Sequence, residues 1–139
     1  MILAIILSIL LFVLGLIHFN WVIGGTFGYS EALPTNENGD RVLSPKKIDS
    51  ASVAIGLIAF GTFYIFKAGI IDYNLPLWIL NYGSCIIPAI FLLRAMGDFK
   101  YVGFFKKIKN TPFGKLDTIL FSPLCLLIGI LGLLILLKY

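Results

Sequence analysis

Residues 2–24 read ILAIILSILLFVLGLIHFNWVIG, with Ser8 the only polar residue before His18. A helix needs about 20 mostly apolar residues to cross the hydrocarbon core of a bilayer, whereas a barrel strand needs about half that number with alternating polarity. The stretch is long enough for the first and apolar on every side, so it predicts a transmembrane helix rather than an amphipathic surface helix. Three further stretches read the same way, at about 51–71, 75–95 and 116–137. The expected fold is all-α: one polytopic four-helix transmembrane bundle spanning 1–139, with no separate soluble domain. Composition agrees. Charged residues are 13% of the chain and apolar residues 59%, where a soluble domain carries about 25% charge. So few charges could not cover a small soluble core, and so much apolar surface excludes intrinsic disorder. The first stretch has no basic residue at its start, and Gly24-Gly25-Thr26-Phe27-Gly28 follows it where a signal peptide would carry a small-residue cleavage site; it is expected to be retained.

Lysine and arginine placement sets the expected orientation. With four spans, the first and third loops share a side. Together they hold nine basic residues, against two (Lys67 and Lys138) on the other. This predicts a multi-pass protein of the cell (cytoplasmic) membrane, with both long loops in the cytoplasm and both termini outside.

The first loop is long for a bundle, and Asn38-Gly39-Asp40 inside it is a turn signal consistent with a short hairpin. It reads as a surface loop or as a lid over the bundle mouth. In the third loop, Tyr101, Phe104, Phe105 and Ile108 fall at i, i+3, i+4 and i+7, with Lys100, Lys106, Lys107 and Lys109 to the sides and back. That pattern predicts a basic amphipathic segment lying in the headgroup plane, its four lysines contacting anionic lipid at about 1 kcal/mol each. Tethering to the bilayer at both ends argues against nucleic acid as the partner.

Polar residues within reach of the hydrocarbon are few. His18, the single histidine, lies about six residues inside the first span, with Trp21 at i+3. Arg94 lies near the end of the third span, Asp98 just beyond it, and Asp117 at the start of the fourth. Ionisable groups at such depths need a polar partner or water, and for Arg94 either Asp117 or Asp98 is within reach. His18, Trp21, Arg94 and Asp117 are therefore expected to face one another at the cytoplasmic end, either as an ion pair closing the bundle or as a ligand site. Cys85 and Cys125 lack redox spacing and read as free, buried thiols. A lone histidine supplies no zinc set, and neither a metal nor a cofactor is expected. Pro88 and Pro123 should kink their helices. Ser52-x-x-x-Gly56 and Gly129-x-x-Gly132 read as packing faces.

Two blocks carry a resemblance: His18-x-x-Trp21-x-x-Gly24-Gly25, and Arg94-x-x-Gly97-Asp98 followed by Gly103, Asp117 and Ser122-Pro123. With them the chain resembles a family of small four-helix bacterial integral membrane proteins described only as a domain of unknown function. The resemblance implies the four-helix fold and no reaction. Three roles stay open: a non-enzymatic bundle binding a lipid or small ligand at its cytoplasmic end, a membrane enzyme on a lipophilic substrate using His18, or an accessory subunit or homo-oligomer. Too few titratable groups converge to favour the enzyme, and neither a repeat nor polar mid-membrane residues point to a transporter.

Overall fold

The computed structural model describes residues 1–138 and consists of four helices joined by three connections. Each helix is long and apolar enough to cross a membrane. Helix α1 spans Ile2–Val22, α2 Lys47–Lys67, α3 Leu77–Met96 and α4 Pro112–Lys138.

Local chemistry places the ends. Helix α2 starts a turn before its apolar run because the Asp49 carboxylate accepts the Lys46 N–H at 2.8 Å, satisfying a donor at the helix start. It ends before Gly69, whose φ is +73°. Helix α4 likewise starts early. The Thr111 hydroxyl accepts the Gly114 N–H at 2.9 Å, with Pro112 in the first turn, where its missing N–H costs nothing. Pro76 precedes α3, and Gly97 follows it at φ +85°.

Helix α4 is not α-helical throughout. Residues Asp117–Phe121 form a π turn, in which the Ser122 N–H reaches the Asp117 carbonyl five residues back. Pro123 follows at once. Its ring would clash with the Ile119 carbonyl in a regular α turn, and the wider turn is how the helix accommodates it.

Packing pairs α1 with α2 and α3 with α4 along their lengths, and the two hairpins meet along α1 and α4 with only slight contact between α2 and α3. Ser8 donates from α1 to the Gly61 carbonyl of α2 at 2.8 Å. Leu7, Leu11, Tyr64, Ile128 and Ile135 are fully buried between the hairpins. Gly129 and Gly132 lie against Leu92 and Pro88 of α3, as their spacing implied. Ser52 and Gly56 do not form a packing face. Ser52 is exposed and bonds within its own helix, and nothing lies within 4 Å of where a Gly56 Cβ would sit. The small residues that admit neighbours on α1 and α2 are Gly15 and Gly61, against Ile58 and Phe12. Cys85 is exposed rather than buried and Cys125 half-buried; both are free.

The first loop contains the short hairpin its turn residues implied. Thr35 and Arg41 form an antiparallel bridge around Gly39, whose φ is +87°. The basic segment between α3 and α4 is not helical: residues 97–111 run through turns and bends. Gly97 and Gly103 both hold positive φ, which breaks the helical stripe proposed for Tyr101, Phe104, Phe105 and Ile108.

Candidate functional site: a buried ion centre at the basic end

Asp117 is fully buried on the inner side of the π turn. A carboxylate so desolvated must be matched by donors, and four reach it. Arg94 Nη2 donates to Oδ1 at 3.1 Å. The Gly103 N–H donates to Oδ2 at 2.8 Å and the Ser122 hydroxyl to the same oxygen at 3.1 Å, while Lys106 Nζ lies 3.2 Å from it. The π turn makes the Ser122 contact possible: side chains five residues apart stand over one another only in the wider register.

The third loop is built around this carboxylate. Gly97 and Gly103 press backbone to backbone; a Cβ on Gly103 would fall 2.3 Å from the Met96 carbonyl oxygen and 2.5 Å from Gly97 Cα. That approach lets the Phe104 N–H reach the Ala95 carbonyl at 2.8 Å and aims the Gly103 N–H at Asp117. Lys106 then turns inward, is 2% exposed, and donates to the Gly103 carbonyl at 3.0 Å and to the Thr118 hydroxyl. Lys106 is therefore not a lipid-contacting residue, since its charge is spent on Asp117. Lys100, Lys107 and Lys109 are exposed.

Asp98 organises the start of the loop. Its Oδ1 accepts the N–H groups of Lys100, Tyr101 and Val102 at 3.0, 2.8 and 3.0 Å. Partial desolvation pushes this carboxyl up, but the backbone donors together outweigh it and hold it below the ordinary carboxylate value. Because the folded value is depressed, the stabilisation is complete above the ordinary aspartate range and is lost as pH falls through the folded value. In an NMR titration, the amides of Lys100, Tyr101 and Val102 should therefore shift together, with a midpoint below that of an unperturbed aspartate. A midpoint at or above the ordinary value would contradict the triple acceptance.

His18 and Trp21 form a separate unit. His18 Nδ1 lies 2.8 Å from the Leu14 carbonyl of its own helix, which makes it the protonated nitrogen, and the ring centroid is 4.5 Å from that of Trp21. The Trp21 indole donates to the Phe27 carbonyl at 2.6 Å and meets Tyr29 edge-on at 5.6 Å; the Arg41 guanidinium lies over Tyr29. Gly25 is required where it is, because a Cβ there would fall on the Asn20 amide. Among the described residues, neither a hydrogen bond nor an ion pair joins His18 to Arg94 or Asp117. The four-residue cluster is thus two units. His18 satisfied its polarity on its own helix backbone, so it needed no partner across the bundle.

Sequence reasoning offered Arg94 either Asp117 or Asp98; the structure pairs it with Asp117 and leaves Asp98 to the loop backbone. Lys106, Ser122 and the Gly103 N–H were missed as partners of Asp117. The signal for them was Gly97 and Gly103, which weaken a continuous helix and so loosen the assignment of Lys106 to a helical face. Chemically the centre is an ion-pair hub: both Asp117 oxygens accept from these donors, which tie the third loop, α3 and α4 together. Two cations face one carboxylate, and Arg94 Nη1 is shielded with no partner among the described residues, while the Arg94 side chain as a whole is 35% exposed.

A family model described as a protein of unknown function (DUF3995) matches residues 11–132, and the chain belongs to that family. No curated protein and no solved structure matches the chain.

Proposed function

From that membership as premise, we propose that the chain is a multi-pass membrane protein that binds an anionic lipid headgroup, without catalysing a reaction, at the end carrying Arg94, Lys106 and Asp117. The surplus positive charge of this centre carries the reading. One carboxylate offsets only one of the two cations, and the Arg94 side chain, 35% exposed, brings that surplus charge within reach of a phosphate at the surface. Lys100, Lys107 and Lys109, exposed in the same loop, add positive charge at this end of the molecule. The test is native mass spectrometry of protein released from nanodiscs of mixed anionic and zwitterionic lipid. The wild type should retain anionic lipid. Arg94→Lys keeps a charge against Asp117 but lacks the second nitrogen, and should lose most of that lipid while still folding. Equal retention by the two proteins would refute the reading.

The basic end is the cytoplasmic one in this reading, on the nine-to-two bias of lysine and arginine. With Cys85 and Cys125 replaced by alanine, a cysteine placed at Asn74 should react with an impermeant thiol reagent on intact cells, and one placed at Thr35 should not. The opposite labelling would invert the orientation.

A further inference from the structure

The hairpin tip of the first loop and the residues just before α4 face each other across a cleft of about 350 Å³. Both of its walls are fixed independently. On one side, Asn36 holds the tip: its N–H donates to the Asp40 carbonyl at 2.9 Å, and its side-chain oxygen accepts the N–H groups of Asn38 and Asp40, each at 2.9 Å. This presents Glu37, exposed, at the cleft. On the other side, the N–H groups of Lys107 and Ile108 both reach the Lys100 carbonyl, at 3.1 and 2.9 Å, and Thr111 caps α4. This wall carries Lys107 and Lys109.

Opposite charges therefore line opposite walls, yet among the described residues neither lysine pairs with Glu37. Thr35 also lines the cleft, and its hydroxyl is shielded with no partner among the described residues. A buried hydroxyl left unsatisfied is costly unless something occupies the space beside it. The volume is at the lower end of small-molecule sites, which run from about 300 to 1,000 Å³. The positive end of the α4 dipole adds to the lysine side.

We propose that this cleft binds a small phosphate-bearing zwitterion, an aminoalkyl phosphate, with its phosphate on Lys107 and Lys109 and its primary ammonium on Glu37. A simple anion would leave Glu37 opposing it, and a simple cation would face two lysines. The zwitterion alone satisfies both walls. Arg94, Lys106 and Asp117 do not line the cleft. The same chemistry occurs as a free phosphomonoester and as a lipid headgroup.

The experiment is titration of the delipidated protein, in a phosphate-free neutral detergent, with O-phosphoethanolamine and separately with inorganic phosphate. Amide shifts of Asn36 and Asn110 report occupancy. O-phosphoethanolamine should bind saturably and more tightly than phosphate. Glu37→Gln should weaken O-phosphoethanolamine about tenfold, the scale of one lost charge-assisted hydrogen bond, and should not weaken phosphate. Lys107→Gln combined with Lys109→Gln should abolish both. All three positions are exposed, so these variants should fold, and Arg94→Lys should bind as the wild type does. Repeating the titration in nanodiscs of a lipid bearing this headgroup separates the sources: displacement of the soluble probe assigns the site to the lipid, and an unchanged titration assigns it to a free compound. Absence of saturable binding, or equal affinity of the wild type and Glu37→Gln for O-phosphoethanolamine, would overturn the proposal.

Discussion

Asp117→Ala is expected to destabilise the protein by about 3–5 kcal/mol, the cost of removing one partner from a buried ion pair. The substitution strands Lys106, which has no route to solvent, and removes the acceptor of the Gly103 N–H and the Ser122 hydroxyl. Thermal unfolding in detergent should show the loss, and proteolysis should cut between α3 and α4 before any other site. Asp117→Asn should recover only part of it, because an amide oxygen still accepts the Gly103 N–H but carries no charge for the two cations. The control is an apolar centre: Arg94→Leu, Lys106→Met and Asp117→Leu together remove all three charges, and should restore much of the stability that Asp117→Ala loses. If Asp117→Ala unfolds at the wild-type temperature, the centre is not what holds the third loop.

Gly103→Ala is the second large effect. Its φ of +88° disfavours a side chain, and the added methyl would overlap the backbone of Met96 and Gly97. Backbone cannot rotate away as a flexible side chain can, so the loop must separate from α3 and the Gly103 N–H must leave Asp117. A loss of about 3 kcal/mol or more follows from the strained backbone and the lost charge-assisted bond together. Gly97→Ala should behave similarly, since its Cβ would meet the Val102 carbonyl. Gly39→Ala is the useful comparison. It also has positive φ, but open space surrounds it, so only the conformational cost of about 1 kcal/mol should remain. Equal losses at positions 39 and 103 would show that the close backbone approach contributes nothing.

The helices were legible because transmembrane length and apolarity are local properties of the chain. The partner of Arg94 was legible to within two carboxylates, Asp117 and Asp98, because a desolvated charge has few possible partners. What could not be read was the path of residues 97–111. Its lysines and aromatics fit a helical period by number, while the structure there depends on contacts with residues 95, 117 and 118 that no local window contains. His18 misled for a related reason. Its depth demanded a hydrogen bond, but the carbonyl of Leu14, one turn earlier on the same helix, supplied it. The π turn was half-visible: Pro123 announced a disturbance but not its form.

That turn also works as a length adjuster. One residue more than an α turn requires is stored between Asp117 and Ser122, and the extra residue rotates the start of α4 relative to the rest by about 100°. Only with that offset can Asp117 face the third loop while Gly129 and Gly132, further along, face α3. A homologue lacking one residue between these positions would have to give up one contact or the other. Insertions and deletions in this five-residue window therefore separate chains that can build the ion centre from chains that cannot, whatever residues they carry elsewhere.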